Sequence, residues 1–184
     1  MVMWPNALDD FASSVTAGES VMFVSRLNGT YIRKQGDAQV VNLPLKNNTD
    51  NAHLFRLHIA GKHAGNNLYS IESLETHLPS EPALYMSVNP DNVADGIRWV
   101  DPKTVSGKAA KALLWYIVPQ PCGGVALLPG LDPSYGLGFI DKNPGVNVCG
   151  RPTELIYGWV PVMNTWDITG QRDRECPPTK IPEV

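Results

Sequence analysis

Short apolar runs alternate with turn residues along most of the chain, and hydrophobic spacing at helical period is scarce. Val21-Met-Phe-Val, Thr30-Tyr-Ile-Arg, Gln39-Val-Val-Asn-Leu, His53-Leu-Phe-Arg-Leu-His-Ile, Leu68-Tyr-Ser-Ile and Ala83-Leu-Tyr-Met-Ser-Val each predict a strand. So do Gly96-Ile-Arg-Trp-Val, Leu114-Trp-Tyr-Ile-Val, Gly124-Val-Ala-Leu-Leu, Leu137-Gly-Phe-Ile, Val146-Asn-Val and Tyr157-Gly-Trp-Val-Pro-Val. About a dozen strands separated by Gly, Pro and Asn point to an all-β sandwich or barrel. Two stretches carry helix formers. Asp9-Asp-Phe-Ala-Ser-Ser-Val-Thr suits a short N-terminal turn, and Lys108-Ala-Ala-Lys-Ala-Leu-Leu runs into the β-branched and aromatic Trp115-Tyr-Ile-Val-Pro, which reads as strand.

The strands repeat. Three segments end in an aromatic-centred strand, at Asn51-Ala-His-Leu-Phe-Arg-Leu-His, Lys111-Ala-Leu-Leu-Trp-Tyr-Ile-Val and Leu155-Ile-Tyr-Gly-Trp-Val-Pro-Val. Aligning Phe55, Trp115 and Trp159 gives spacings of 60 and 44 residues. Before each lies a strand with an aromatic, a loop, a short Val-rich strand and a polar loop. Three four-stranded units of this kind resemble a β-trefoil, a six-stranded barrel capped by three hairpins. One unit cannot bury its own apolar face, whereas three around an axis share a core. The expected organisation is a single trefoil domain over 1–184 with its core at about 20–164. A short extension precedes the core, and the pattern stops beyond Asn164, where residues 165–184 hold three prolines and several charges and read as a loosely packed tail.

Composition narrows the function. The 184 residues are 43% apolar and 18% charged, enough for a core in one domain. A formal charge of −3 argues against a nucleic-acid partner or an anionic membrane, and no apolar run reaches the ~18–20 residues of a membrane helix. The N-terminal residues carry neither a basic nor an apolar leader region, and Cys122, Cys149 and Cys176 are odd in number without CxxC spacing. A cytoplasmic, reducing location is expected, with the sequons at Asn28 and Asn47 unused; a mature secreted form would change that.

Familiar catalytic chemistry is missing. His53, His58 and His63 are five apart, and odd separations on a strand point to opposite faces, so no metal is expected. Cys122, in Gln120-Pro-Cys-Gly-Gly, has no identifiable base. Gly136-Leu-Gly138 is followed by Asp141 where a dinucleotide fingerprint needs glycine. Acidic residues fall singly in loops, which nominates no paired-carboxylate site. The chain reads as a binding protein without cofactor rather than an enzyme.

Two binding readings stand. Sugar-binding trefoils of the ricin-B type carry Gln-x-Trp near each repeat end, and the three expected ends here depart from that. Loop aromatics with carboxylates still offer a glycan site, with Trp99 beside Asp95 and Asp101, and Tyr135 beside Asp132. The third unit, Gly138-Phe-Ile-Asp-Lys-Asn-Pro-Gly-Val-Asn-Val-Cys-Gly-Arg-Pro-Thr-Glu-Leu-Ile with Tyr-Gly-Trp-Val, resembles the last repeat of the fungal trefoil protease inhibitors, the mycocypins and their serine-protease-inhibitor relatives. The likeness is strongest over residues 138–160. Leu114-Trp-Tyr-Ile-Val-Pro is similar to that group's middle strand, though the middle unit here is much longer. The resemblance implies a rigid barrel whose loops block a papain-like protease, an asparaginyl endopeptidase or a trypsin-like enzyme. The matching loop is Ser25-Arg-Leu-Asn-Gly-Thr-Tyr, so Arg26, Leu27, Asn28, Gly29 and Thr30 become candidate contacts; Asn-Gly is equally the preferred type I′ hairpin turn. Lys103, on the Pro-stiffened Asp101-Pro-Lys-Thr loop, is the trypsin-facing candidate. Protease inhibition is slightly favoured over glycan binding.

Overall fold

A computed structural model describes residues 20–27, 29–35, 39–43, 50–63, 65–120, 124–140, 143–148 and 162–168. Thirteen strands are found among them: β1 Ser20–Val21, β2 Phe23–Ser25, β3 Tyr31–Gln35, β4 Gln39–Leu43, β5 Phe55–His63, β6 Asn66–Ser73 and β7 Tyr85–Val88. There follow β8 Ile97–Val100, β9 Trp115–Pro119, β10 Val125–Pro129, β11 Tyr135–Ile140, β12 Asn143–Val148 and β13 Trp166–Ile168. The helix formers after Gly107 make a single turn, Lys108–Lys111, before the apolar run to Trp115 takes over as strand.

The ladder runs β1-β5-β6-β9-β10-β13-β2. Only Met22 separates β1 from β2, so one interrupted strand pairs with β5 on one side and with β13 on the other, which closes a six-stranded barrel. Hairpins β3–β4, β7–β8 and β11–β12 cap one end, and strands β4, β8 and β12 meet one another there. This is the β-trefoil expected from the repeat.

The core repeats in threes. Phe55, Trp115 and Trp166 begin the last strand of each unit, and all three are fully buried. Two residues on, Leu57, Ile117 and Ile168 point inward as period-2 alternation requires. Ile32, Met86 and Leu137 fill the same place under the three hairpins. Each indole N–H finds a hairpin carbonyl 29 residues earlier in the chain: Trp115 Nε1 donates to Met86 O at 3.1 Å, and Trp166 Nε1 to Leu137 O at 2.9 Å. A buried indole without such an acceptor would carry a desolvation cost of about 1–3 kcal/mol.

That equivalence corrects the expected third repeat end. The closing aromatic is Trp166, giving spacings of 60 residues from Phe55 to Trp115 and 51 from Trp115 to Trp166. Trp159 and the segment 149–161 lie outside the described residues. The core therefore extends past Asn164: Thr165, Trp166 and Ile168 are buried, and β13 holds β2 against β10. The expected tail begins beyond Ile168, among residues that are not described. Strand β5 holds a second departure. Its register shifts between Ile59 and Gly61, which places His58 and His63 on one face where strict alternation would have separated them.

Candidate functional site

The connection from β2 to β3 is short and closed on itself. Thr30 O accepts from Ser25 N–H at 2.6 Å, Ser25 O from Gly29 N–H at 2.8 Å, and Ser25 Oγ from Leu27 N–H at 3.2 Å. Gly29 sits at φ +72° with open space around it, the left-handed conformation that glycine takes at no steric cost. Arg26 is drawn down to the barrel, donating its N–H to Thr165 O and pairing with Asp167 at 2.9 Å. Leu27 is left at the surface, 47% exposed. Asn28 lies outside the described residues. Of the expected protease contacts, then, Leu27 and Gly29 face solvent while Arg26 is committed to β13. Lys103 is exposed in a different unit, in a 3-10 turn over Pro102–Thr104 whose cap is Asp101, accepting from Lys103 N–H at 3.0 Å.

The expected glycan residues fall apart into separate roles. Trp99 is 6% exposed and stacks on Phe55, with ring centroids 5.8 Å apart and planes 12° from parallel, so it is chiefly a core residue. Asp101 is the cap just described, and Asp95 accepts from Asn89 Nδ2 at 2.9 Å. Asp132 is held in its own turn, accepting from Ser134 N–H at 3.1 Å and Ser134 Oγ–H at 2.5 Å, and Tyr135 packs against the core. Of the five, Trp99 lines the cleft formed with Lys34 and Glu75.

That cleft has a volume of about 530 Å³ and lies between β3, β8 and the connection from β6 to β7. At its floor Lys34, 4% exposed, reaches Glu75 Oε2 at 2.5 Å. Ser73, Thr76, His77 and Glu81 supply the remaining polar wall, with Pro82, Leu84 and Trp99 on the apolar side. The connection holding them is anchored by its backbone. Leu74 N–H donates to Leu54 O, Thr76 N–H to Asp50 O and Ser73 N–H to Leu84 O, at 2.7–2.9 Å. His77 Nδ1 donates to Leu78 O at 3.0 Å, and Glu81 Oε2 accepts from Leu78 N–H at 3.3 Å. Hydroxyls and carboxylates facing a small apolar wall suit a ligand that carries both hydroxyls and apolar faces. Sequence patterning missed Lys34, Glu75, Thr76, His77 and Glu81 because they converge across two units, and no local spacing records that.

A second polar group lies on the outside of the barrel. His58 Nε2 and Glu72 Oε1 are 2.7 Å apart, and the His58 and Tyr85 rings are 6.0 Å apart. Arg56 stands opposite Glu72 in the β5–β6 register. Burial first, and then the Glu72 charge, pushes the Tyr85 hydroxyl above its ordinary value. Among the described residues no three His, Cys, Asp or Glu side chains converge as a metal site. No helix among them is long and apolar enough to cross a membrane.

Neither a family model nor a curated protein matches the chain. Solved structures do. A designed three-fold symmetric protein, ThreeFoil, superposes with a TM-score of 0.56 at 14% identity, covering 81% of this chain and 96% of that one. The BEL β-trefoil gives a TM-score of 0.54 at 14% identity over 81% and 90%. An endo-β-galactosidase from Clostridium perfringens that releases GlcNAcα1-4Gal gives 0.57 at 11% identity, covering 81% of this chain; this chain spans 31% of that enzyme. At these identities the likeness shows the fold, a β-trefoil. The third unit ends at Asn164-Thr165-Trp166, with an Asn where the ricin-B type has Gln two residues before the indole. Asn164 is fully buried, and its Nδ2 donates to Asn147 Oδ1 at 2.7 Å and to Gly136 O at 3.3 Å, a structural role.

Proposed function

We propose that the protein is a non-catalytic binding trefoil that holds a glycan in the cleft between β3, β8 and the β6–β7 connection. The observation that carries this reading is the cleft's lining, in which Ser73, Thr76, His77 and Glu81 stand beside an apolar wall of Pro82, Leu84 and Trp99. Sugars present alternating hydroxyls and apolar C–H faces, and such a wall answers both. The backbone anchoring of residues 74–76 keeps the polar groups in place before a ligand arrives, which reduces the ordering cost of binding. Trefoil segments within enzymes named for galactosidase and arabinofuranosidase activity add weight to a sugar ligand.

A glycan array followed by calorimetry tests it. Thr76→Arg and Glu81→Lys alter exposed positions and leave the core intact, and each should weaken binding at least about tenfold, or 1.4 kcal/mol. No glycan retained by the wild-type protein at ~1 mM would end the reading.

The exposed Leu27 on a loop held by three internal hydrogen bonds favours a second reading, protease inhibition. A pre-ordered apolar tip can enter a protease cleft with little loss of entropy. Titration against papain, an asparaginyl endopeptidase and trypsin separates the two. Inhibition lost in Leu27→Asp and kept in Thr76→Arg would establish the loop and displace the cleft.

A further inference from the structure

The seams between the three units are built from equivalent positions, and one of them carries charges where the others carry apolar residues. Lys34 and Val88 lie two residues after the core residues Ile32 and Met86. Each donates its backbone N–H to a buried alanine that stands three residues before a closing aromatic. Lys34 N–H reaches Ala52 O at 2.9 Å, ahead of Phe55, and Val88 N–H reaches Ala112 O at 3.2 Å, ahead of Trp115. Glu75 and Leu131 match in the same way. Ser73 faces Phe55 and Pro129 faces Trp115 across the ladder. The next N–H donates to the residue before the aromatic, Leu74 to Leu54 O at 2.9 Å and Gly130 to Leu114 O at 2.8 Å. One position further on stand Glu75 and Leu131.

The Lys34–Glu75 pair thus occupies the place that Val88 and Leu131 hold one seam further round. Val88 is a core residue and Leu131 packs against that core. By register the third seam has Phe139 and Leu27 there, two residues after Leu137 and two after Ser25, which faces Trp166. The fold closes its second seam with apolar residues, so it has no general need of an ion pair at these positions. Lys34 is 4% exposed, and its ammonium has lost most of its water. A buried pair of this kind is commonly no more stabilising than apolar residues of similar volume. Packing gives no reason for charges at this seam, and it is this seam that opens into the cleft.

The pair leaves one acceptor unused. Glu75 Oε2 takes the Lys34 Nζ–H at 2.5 Å, while Oε1 receives no hydrogen bond from the described residues, and the side chain keeps 29% of its exposure. The backbone beneath is fixed, because Glu75 N–H donates to Ser73 Oγ at 3.2 Å. Charge then selects the ligand. Of the described residues that line the cleft, Lys34 and His77 alone are basic, and Lys34 is engaged with Glu75. Glu81, exposed at the rim, accepts from Leu78 N–H through one oxygen and adds a second carboxylate. A carboxylate or sulfate on a ligand would meet like charge there, whereas a hydroxyl would meet acceptors.

On the glycan reading of this cleft, on which the inference rests, we propose that Glu75 is the hydroxyl-binding residue, that Lys34 is the positioning residue that holds it, and that the ligand is a neutral glycan. The competing role for the pair is a structural clip between β3 and the β6–β7 connection.

Lys34→Met with Glu75→Leu separates the two roles, since it gives the seam an apolar pair of similar volume. The double variant should unfold within about 5 °C of the wild type or above it. By calorimetry it should bind the neutral glycan found on an array at least about tenfold more weakly. A larger fall in Tm, or failure to fold, makes the pair a clip and overturns the proposal; so does undiminished binding. Glu75→Gln keeps the side chain's shape and should narrow the preference for neutral over uronic or sialylated glycans at least about threefold. An unchanged preference counts against Glu75 as its source. Wild-type protein that prefers acidic or amine-bearing glycans overturns the proposal and leaves the cleft reading in place. Wild-type protein that retains no glycan ends that reading, and this proposal with it.

Discussion

Trp115 and Trp166 perform one task at two corners of the barrel, each filling the core with a ring and spending its one N–H on a hairpin carbonyl. Trp166→Phe keeps most of the volume and strands the Leu137 carbonyl, a loss of about 1–2 kcal/mol and roughly 2–8 °C in Tm. Trp166→Ala adds a cavity, for about 3–5 kcal/mol. Urea denaturation of both variants reads the difference. His53 carries a different kind of information. Burial holds its imidazole below the ordinary 6.5, with Asp50 opposing and Arg33 assisting, and its Nδ1 is buried without a hydrogen-bond partner. As pH falls through 6.5 the unfolded chain takes up a proton that the folded chain refuses, so stability drops on acidification. His53→Phe should flatten the Tm profile between pH 7 and 5; an unchanged slope would assign the acid sensitivity elsewhere. Asp50 acts lower on the scale. Burial raises its carboxyl, but the Ala52 N–H and the Arg33 guanidinium outweigh that and hold it below 3.8, so its contribution is present above 3.8 and lost only as pH falls through the lowered value.

Two glycines, one in a turn and one inside a strand, separate backbone conformation from crowding. Gly29 has φ +72° and open space where a Cβ would stand, so Gly29→Ala costs only the left-handed strain, about 1 kcal/mol. Gly138 on β11 has no such φ, yet a Cβ there would lie 2.6 Å from Asn164 Nδ2 and 2.9 Å from Asn147 Oδ1. Gly138→Ala should break that buried amide pair and cost about 2–3 kcal/mol, measured by thermal unfolding beside Gly29→Ala. The strands were legible because apolar residues alternate between turn residues. Phe23, Ile71 and Leu127 sit where that pattern places them. The last strand was not. Ile156-Tyr-Gly-Trp-Val shows the stronger local pattern, whereas Trp166-Asp-Ile is three residues long and is defined by its pairing with Phe23, Val24 and Ser25 across the chain. The cleft was hidden for the same reason, since Lys34 and Glu75 are 41 residues apart and meet only after the units close.

At the scale of the molecule, three residues close the barrel. Strand β13 pairs Trp166 with Ser25, Asp167 with Val24 and Ile168 with Phe23, and on its other side Trp166 faces Val125. Ending the chain at Asn164, where the strand pattern stops, removes the buried Thr165, Trp166 and Ile168 and the Arg26–Asp167 ion pair, and it opens β2 and β10 as unpaired edges. Core truncations of that size cost about 3–5 kcal/mol for the tryptophan and 2–5 kcal/mol for the isoleucine, against the ~5–15 kcal/mol that holds a whole domain together. The chain 1–164 should therefore lack a cooperative unfolding transition and near-UV dichroism. A chain ending at residue 172 keeps every paired residue of β13 and should unfold in one transition close to that of the full protein. A cooperative transition in 1–164 would mean that the barrel holds without β13, and that the ladder from β1 to β10 suffices.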